Sequence, residues 1–336
     1  MDRAPLRPGD FSAVMGTGIV ANAAVALPGH VPGLHPAATV VWVLASALLV
    51  KAVVDAAGRP IDPATAPVLG ALPMALMTVG AGTLLFTPLV AVAVALWLAG
   101  TLLGLVTAVA VPLLLSARRD AVVTGAWLMP VVPPMVSAAT GAPLIAHFPA
   151  SVRPDALLCC YGLFGISLFA AVAIIAQLWG RLLHHGPGEP ATVPTLWIVL
   201  GPLGQSVTAA HALAGPAGTV LSPEYGRGAE VFALLYGVAA LGFALLWLAF
   251  AAAVTLRTAR APGGLPFTPA WWAFTFPVGT CVTGAAGLAR QTGSPMFATL
   301  AVALYVLLVA AWLTVATRTV TRGRLRLSGP LRATAR

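Results

Sequence analysis

The sequence has very little charge. Only 8% of its 336 residues are Asp, Glu, Lys or Arg, whereas 59% are hydrophobic, and the mean hydropathy is +0.95. A soluble domain of this length needs far more charge to cover its surface. The composition therefore excludes a soluble protein. It predicts one membrane-embedded domain over residues 1–320, followed by a basic cytoplasmic tail over residues 321–336.

Carboxylates and cysteines are the scarcest chemical groups. The chain has nine Asp and Glu residues in total, and Glu230 is the acidic residue placed deepest in an apolar segment. Proton-coupled and cation transport usually depend on buried acids, so their scarcity argues against a cation pump. The three cysteines, Cys159, Cys160 and Cys281, have neither metal-ligand nor disulfide spacing, so we expect no metal site.

Apolar segments long enough to cross a bilayer recur along the chain. A crossing needs roughly 20 mostly apolar residues. We predict ten membrane-spanning helices, and the first is expected to be a span, not a cleaved signal, because "GTG" and Asn22 interrupt its apolar stretch. The predicted spans are 11–27, 35–54, 66–86, 88–115, 122–146, 156–180, 194–214, 229–257, 269–289 and 295–317.

Positive charge alternates with the predicted crossings. Of the 18 Lys and Arg residues, all but Arg153, Arg227 and Arg290 fall in alternate connections and at the two termini. Because cytoplasmic loops are enriched in Lys and Arg, this pattern predicts cytoplasmic termini in a bacterial-type inner (plasma) membrane. It also explains the net charge of +9 without any nucleic-acid partner.

The odd-numbered spans share a four-residue pattern of proline, large apolar residue, small residue and polar residue. Its copies begin 59 to 75 residues apart, which fits one antiparallel pair of spans per repeat. The even spans are more uniformly apolar, so we expect them to form an outer layer around the odd ones. The copies are Val14-Met15-Gly16-Thr17, Pro73-Met74-Ala75-Leu76, Pro134-Met135-Val136-Ser137, Pro202-Leu203-Gly204-Gln205 and Pro277-Val278-Gly279-Thr280.

The repeat predicts one wall of a pore from each odd helix. A proline inside a helix frees a carbonyl that neighbours or water must satisfy, which is easiest around a wet lumen. Small residues and prolines also serve ordinary helix packing, which is the alternative interpretation. The predicted kinks are at Pro73, Pro134, Pro202 and Pro277. The predicted lining residues are Gly16, Thr17, Ser137, Thr140, Gln205, Thr208, Thr280 and Thr283.

Four further side chains are candidates for the mouth and the gate. His211 and Arg290 lie toward the outer ends of the seventh and ninth spans, where they either meet the solute or serve packing and interfacial anchoring. Phe276, directly before Pro277, is a candidate steric gate, although the chain offers Phe274 two residues earlier.

Two of these segments resemble a known family. "FSAVMGTGIV" and "WWAFTFPVGT" are similar to motifs of the tellurite-resistance and C4-dicarboxylate transporter family, which includes plant slow anion channels, fungal malate permeases and sulfite efflux pumps. The resemblance implies ten helices in five hairpins around a quasi-fivefold central pore, often in a homotrimer, without a cofactor. It also implies a phenylalanine gate in the ninth helix, matching Phe276. Leu76 departs from the polar position of the repeat.

The resemblance implies an anion channel or facilitative transporter. Its members move C4-dicarboxylates such as malate, sulfite, chloride or nitrate, and tellurite resistance can follow from such anion traffic. A proton-linked organic-acid symporter is one alternative. A membrane-embedded enzyme that uses His211, His147 or the cysteines is another, although such enzymes normally need a clustered set of groups.

Overall fold

The computed structural model describes residues 6, 9–29, 31–117 and 122–327, without the side chains of residues 63, 64 and 322–327. The described residues contain ten α-helices, and each overlaps one of the ten predicted spans. The last helix continues to Leu327, and the predicted tail beyond it lies outside the described residues. The helices are α1 Gly9–Ala26, α2 Leu34–Ala56, α3 Ala71–Phe86, α4 Val90–Ser116, α5 Pro133–Gly141, α6 Arg153–His185, α7 Leu200–Val220, α8 Pro223–Arg260, α9 Phe276–Thr292 and α10 Pro295–Leu327.

The repeated prolines lie at the beginnings of α-helices. Pro73, Pro134, Pro202 and Pro277 each fall within the first three residues of α3, α5, α7 or α9. The first N–H groups of a helix have no intrahelical partner, so a residue without an N–H costs nothing there. These prolines therefore free no carbonyl inside an α-helix, and the kinks predicted at the four positions stay a prediction.

A 3₁₀ segment precedes each of these four helices. α1 is different, because its copy of the pattern has Val14 where the others have proline, and its α-helix runs unbroken through that copy. The proline thus marks the point where a 3₁₀ segment becomes an α-helix. The segments are Pro63–Gly70, Gly125–Leu128, Val193–Val199 and Pro269–Phe274.

Within the described part of the chain, eight helical stretches are long and apolar enough to cross a membrane by length and composition. The stretch around α5 is not among them, because its α-helix has only nine residues. Pro133 and Pro134 begin α5, and Pro143 lies in the 3₁₀ segment that follows it. Helix α1, with Asp10 and Asn22, is also shorter and more polar than the eight.

The odd and even helices differ sharply in burial. In the span Pro269–Thr292, which contains α9, 94% of the most apolar stretch is buried, against 17% for Val90–Ser116, which is α4. Large apolar side chains on the even helices, such as Phe169 of α6, are exposed. In a membrane protein such faces contact lipid, so the even helices form the lipid-facing layer that the sequence predicts.

Helix contacts follow a regular order. Each odd helix packs against the even helix that follows it, which gives the pairs α1–α2, α3–α4, α5–α6, α7–α8 and α9–α10. The odd helices also contact one another in sequence, α1 with α3, α3 with α5, α5 with α7 and α7 with α9. Contact between α9 and α1 closes the cycle.

Candidate functional site

A cavity of about 690 Å³ lies between the odd helices, mostly toward their carboxyl-terminal ends. All five odd helices contribute to its wall, and Glu230 of α8 joins them at the rim. Lining residues include Ile19 and Asn22 of α1, Ala81 of α3, Thr140 of α5, Gln205, Thr208 and His211 of α7, and Thr283 and Arg290 of α9.

Six of the residues predicted for the pore and its mouth therefore border one cavity. They come from α5, α7 and α9, and they are separated in the sequence by as much as 150 residues. They are Thr140, Gln205, Thr208, Thr283, His211 and Arg290.

Two of the other predicted hydroxyls point toward outer helices. The Oγ1 of Thr17 accepts a hydrogen bond from the indole Nε1 of Trp312 on α10, at 3.1 Å. The hydroxyls of Ser137 and Thr101, on α4, lie 2.6 Å apart. These two residues join the inner helices to the outer ones and do not line the cavity.

Gly16 and Thr280 pack between inner elements. A methyl group at Gly16 would collide with Trp272 in the 3₁₀ segment before α9, at 2.8 Å from its Cε3 atom. The fully buried hydroxyl of Thr280 donates to the carbonyl of Pro277 at 2.7 Å and lies 3.3 Å from the carbonyl of Gly201. At the polar position of the repeat, only Gln205 reaches the cavity.

The threonine hydroxyls that line the cavity donate their hydrogens to other groups of the protein. Thr140 donates to the carbonyl of Val136 at 2.8 Å. The hydroxyls of Thr208 and Thr283 lie 2.6 Å apart, and the carbonyl of Thr280 is within reach of both, at 3.2 and 3.0 Å. A hydroxyl has one proton to donate, so these side chains present oxygen lone pairs to the cavity.

Three other polar side chains of the lining residues have hydrogen-bonding atoms without a partner among the described residues. The Gln205 side chain is only 4% exposed, and no hydrogen bond to it occurs within the described residues. Asn22 donates its Nδ2 to the carbonyl of Thr78 at 3.0 Å, which leaves its buried Oδ1 without a partner there. The Nδ1 of His211 lies 2.9 Å from the carbonyl of Val207, and its buried Nε2 has no partner within the same residues.

The sequence-based prediction missed Asn22. It lies eight residues after Val14, outside the four-residue pattern, and α1 has no hydroxyl at the position of Thr140. One signal was available, because Asn22 is the chain's single asparagine and lies inside a membrane helix. Amides in such helices usually bind across an interface or face a cavity.

Charge is confined to the rim of the cavity. Arg290 is exposed and donates its Nη1 to the carbonyl of Ala26, at the end of α1, at 2.8 Å. Glu230, the other charged lining residue, is also exposed, and its backbone carbonyl accepts from Gln291 at 2.7 Å. Arg290 thus borders the mouth and also ties α9 to the carbonyl end of α1, where a cation is favoured.

The two candidate gate residues have different surroundings. Phe274 lies in the 3₁₀ segment, where its ring stands edge-on to Trp197 with centroids 5.0 Å apart and to Trp271 at 5.5 Å. Phe276 begins α9, is 3% exposed and has no ring partner among the described residues. Phe276 lies four residues before Thr280, the counterpart of Gln205 in the repeat, so it is one turn, about 6 Å along the axis, below that level of the cavity.

A group of three or more His, Cys, Asp or Glu side chains placed to hold a metal ion is not found within the described ranges. Among the described residues that line the cavity, His211 is the only histidine and Glu230 is the only acid.

Apolar helices in pairs, with a buried inner layer that borders one cavity, define a multi-pass membrane protein. Comparison with known families makes this specific, because the SLAC1 family, described as voltage-dependent anion channels, matches residues 6–320. The chain belongs to the SLAC1 family, and it is an anion channel or transporter of that family.

Curated relatives include fungal and archaeal transporters. The sulfite efflux pump SSU1 of Trichophyton rubrum is 28% identical over 344 residues, which cover 93% of this chain and 89% of the relative. The protein of the same name from Arthroderma otae is 29% identical over 345 residues with the same coverage. The uncharacterized transporter MJ0762 of Methanocaldococcus jannaschii is 24% identical over 332 residues, or 93% of each chain.

Proposed function

We propose that this protein conducts small anions down their electrochemical gradient through a central pore between α1, α3, α5, α7 and α9. Five helical hairpins would surround this pore with quasi-fivefold symmetry. The observation that carries the proposal is the cavity, because one lumen bordered by all five odd helices is the expected entrance of such a pore. The closed cycle of contacts among the same helices supports it further.

The cavity is the outer vestibule if both termini are cytoplasmic, as the distribution of Lys and Arg predicts. We place the protein in the inner (plasma) membrane of a bacterial-type cell. Residues 1–320 form its single transport domain, and the residues after them form a cytoplasmic tail whose first part continues α10. The family match, which ends at residue 320, supports this boundary.

Sulfite is the first anion to test, because the names of two relatives describe sulfite efflux pumps. C4-dicarboxylates, halides and nitrate are the other candidates. We propose that the protein forms a homotrimer, whose mass in detergent is measurable by light scattering. We also propose that it is a transport protein and not an enzyme. The assignment as a transport protein is supported by the family and the named relatives, which are channels or transporters.

Phe276 is the proposed gate. It lies one helical turn from the level of Gln205, in the most completely buried of the eight candidate spans within the described residues. An apolar ring in a narrow lumen blocks it sterically and excludes water. The ring of Phe274 packs in an aromatic cluster with Trp197 and Trp271, which gives it a structural role.

The test compares Phe276→Ala with Phe274→Ala in planar bilayers. Removing a barrier of about 1.4 kcal/mol raises conductance about tenfold, which is the increase expected for Phe276→Ala. Phe274→Ala is the matched control and should not raise it. Equal conductance of Phe276→Ala and the unmodified protein would reject Phe276 as the gate.

A further inference from the structure

A second cavity, of about 310 Å³, opens where α6 and α8 begin and α7 ends. We call it the α6–α8 pocket. None of the residues that line it borders the larger cavity between the odd helices, so the pocket lies outside the proposed pore. Its wall includes Tyr161 of α6, Leu221 directly after α7, and Glu224, Tyr225, Gly228 and Phe232 of α8.

The α6–α8 pocket is polar at one end and apolar at the other. Glu224 is the second residue of α8, and Phe232 lies eight residues further, about 12 Å along the helix axis. With the cytoplasmic termini proposed above, Glu224 lies at the outer surface of the membrane and Phe232 lies deeper in the bilayer. The pocket therefore extends from the level of the lipid headgroups toward the acyl chains.

The polar groups of the pocket have no partners within the described residues. The exposed carboxylate of Glu224 makes no ion pair there, and the hydroxyls of Tyr161 and Tyr225 make no hydrogen bond. An acid in the first turn of a helix is favoured by the helix dipole, and Asp155 in the first turn of α6 is a second example. The dipole does not explain why two tyrosine rings border Glu224.

The apolar end of the pocket has a fixed wall. The ring of Phe232 stacks on that of Tyr236 with centroids 5.2 Å apart, and it stands edge-on to Phe164 of α6 at 6.1 Å. The hydroxyl of Tyr236 donates to the Oγ of Ser206 on α7 at 2.7 Å. The wall is therefore held by all three helices around the pocket before any ligand enters.

Two glycines of α8 have different surroundings near the pocket. A methyl group at Gly226 would lie 2.7 Å from the Cα atom of Gly218 on α7, so the two backbones touch at this level. A methyl group at Gly228, which lines the pocket, would meet no atom within 4 Å. A larger side chain at Gly228 would therefore occupy the pocket without disturbing the packing of α7 and α8.

We propose that the α6–α8 pocket binds the ammonium headgroup of a phospholipid. A cation is attracted to the face of a tyrosine ring, and a carboxylate beside the ring supplies the opposite charge. The ammonium lies beside Glu224, Tyr161 and Tyr225, and an acyl chain continues past Leu221 and Phe232. An anionic headgroup is disfavoured there, because it places like charge beside Glu224.

The first test titrates the detergent-solubilised protein with single lipids and detects binding by native mass spectrometry. Phosphatidylethanolamine, phosphatidylcholine and phosphatidylglycerol are used with identical acyl chains, and only the first two carry an ammonium. Basic edges of the protein also attract phosphatidylglycerol, so the binding assigned to the pocket is the part that Gly228→Leu removes. That part should be present for both ammonium lipids and absent for phosphatidylglycerol.

The matched control for Gly228→Leu is Gly242→Leu. Gly242 is on the same helix, and an added methyl group there also meets no atom within 4 Å, but Gly242 does not line the pocket. This variant should bind all three lipids as the unmodified protein does. Choline chloride carries the same charge without acyl chains and should not displace the lipid at equal concentration.

The second test removes the charge and the rings one at a time. Glu224→Gln should weaken the binding of phosphatidylethanolamine about tenfold, whereas Asp155→Asn, which changes an acid in the first turn of α6, should leave it unchanged. Tyr161→Leu and Tyr225→Leu should each weaken it about threefold. Phe169→Leu, at an exposed ring of α6 outside the pocket, is their control.

Several outcomes overturn the inference. They are lipid binding that Gly228→Leu does not reduce, equal losses of phosphatidylglycerol and phosphatidylethanolamine in that variant, and equal effects of Glu224→Gln and Asp155→Asn. Displacement of the lipid by choline at equal concentration would assign the pocket to a soluble ammonium compound instead. A lower oligomeric mass of Glu224→Gln or Tyr225→Leu in light scattering would show that a second copy of the chain covers it. Anion conductance is a separate measurement, because the pocket shares no lining residue with the proposed pore.

Discussion

Gly204→Ala should destabilise the protein by forcing α7 and α9 apart. A methyl group at Gly204 would lie 2.5 Å from the backbone nitrogen of Cys281 and 2.6 Å from the carbonyl carbon of Thr280. Ordinary contact begins at 3.4 Å, so α9 must move by about 0.9 Å. That movement stretches the bonds from Thr208 to the Thr280 carbonyl, now 3.2 Å, and from Thr280 to the Gly201 carbonyl, now 3.3 Å.

The expected loss is roughly 2–4 kcal/mol. Overpacking alone costs about 1–3 kcal/mol, and each interhelical hydrogen bond in a membrane contributes about 0.6 kcal/mol. The assay is equilibrium unfolding in mixed detergent micelles, followed by circular dichroism. Gly242→Ala is the matched control, because Gly242 lies on the exposed face of α8 with nothing within 4 Å of an added methyl group.

The control should be neutral or should gain up to about 1 kcal/mol, because alanine favours a helix more than glycine does. Indistinguishable unfolding free energies for Gly204→Ala and Gly242→Ala would refute the close approach of α7 and α9. A lower stability of Gly204→Ala with unchanged anion selectivity would show that the inner packing tolerates the shift without remodelling the cavity.

Three smaller predictions concern single contacts. A double-mutant cycle of Thr208→Val and Thr283→Val should give a coupling of about 0.6 kcal/mol in the same unfolding assay, and strict additivity would contradict the hydroxyl pair. Phe274→Ala should lower the unfolding free energy by roughly 3 kcal/mol through loss of a buried ring, and a value near zero would mean that its aromatic cluster contributes nothing. Arg318→Gln should cost about 0.5–1 kcal/mol and change the tryptophan fluorescence, because the guanidinium lies 4.7 Å from the ring centroid of Trp271; an unchanged spectrum would argue against that contact.

The positions of the helices could be predicted because a membrane span is recognised from the hydropathy of a whole segment and the charges that flank it. The fifth span shows the limit of such a prediction. Its apolar length predicts one continuous helix over 122–146, but only Pro133–Gly141 is α-helical. Prolines remove N–H donors on both sides of it, at Pro130 and Pro143, and hydropathy does not register this.

The direction in which each hydroxyl points was much harder to predict. Thr17 and Ser137 occupy the polar position of the repeat, as Gln205 does, yet they meet side chains of α10 and α4. Their partners, Trp312 and Thr101, lie on helices that no local pattern connects with the repeat. Asn22 escaped notice for the opposite reason, since it lies outside the pattern and still reaches the cavity.

The 3₁₀ segments that precede four inner helices are longer than the same residues would be in an α-helix. A 3₁₀ helix rises about 2.0 Å per residue and an α-helix 1.5 Å, so each converted residue shortens the chain by about 0.5 Å. For the six residues Pro269–Phe274 the difference is about 3 Å, together with about 20° of rotation per residue. An inner helix can therefore advance or turn Phe276 against its neighbours by exchanging one hydrogen-bond pattern for another, while the lipid-facing helices stay where they are.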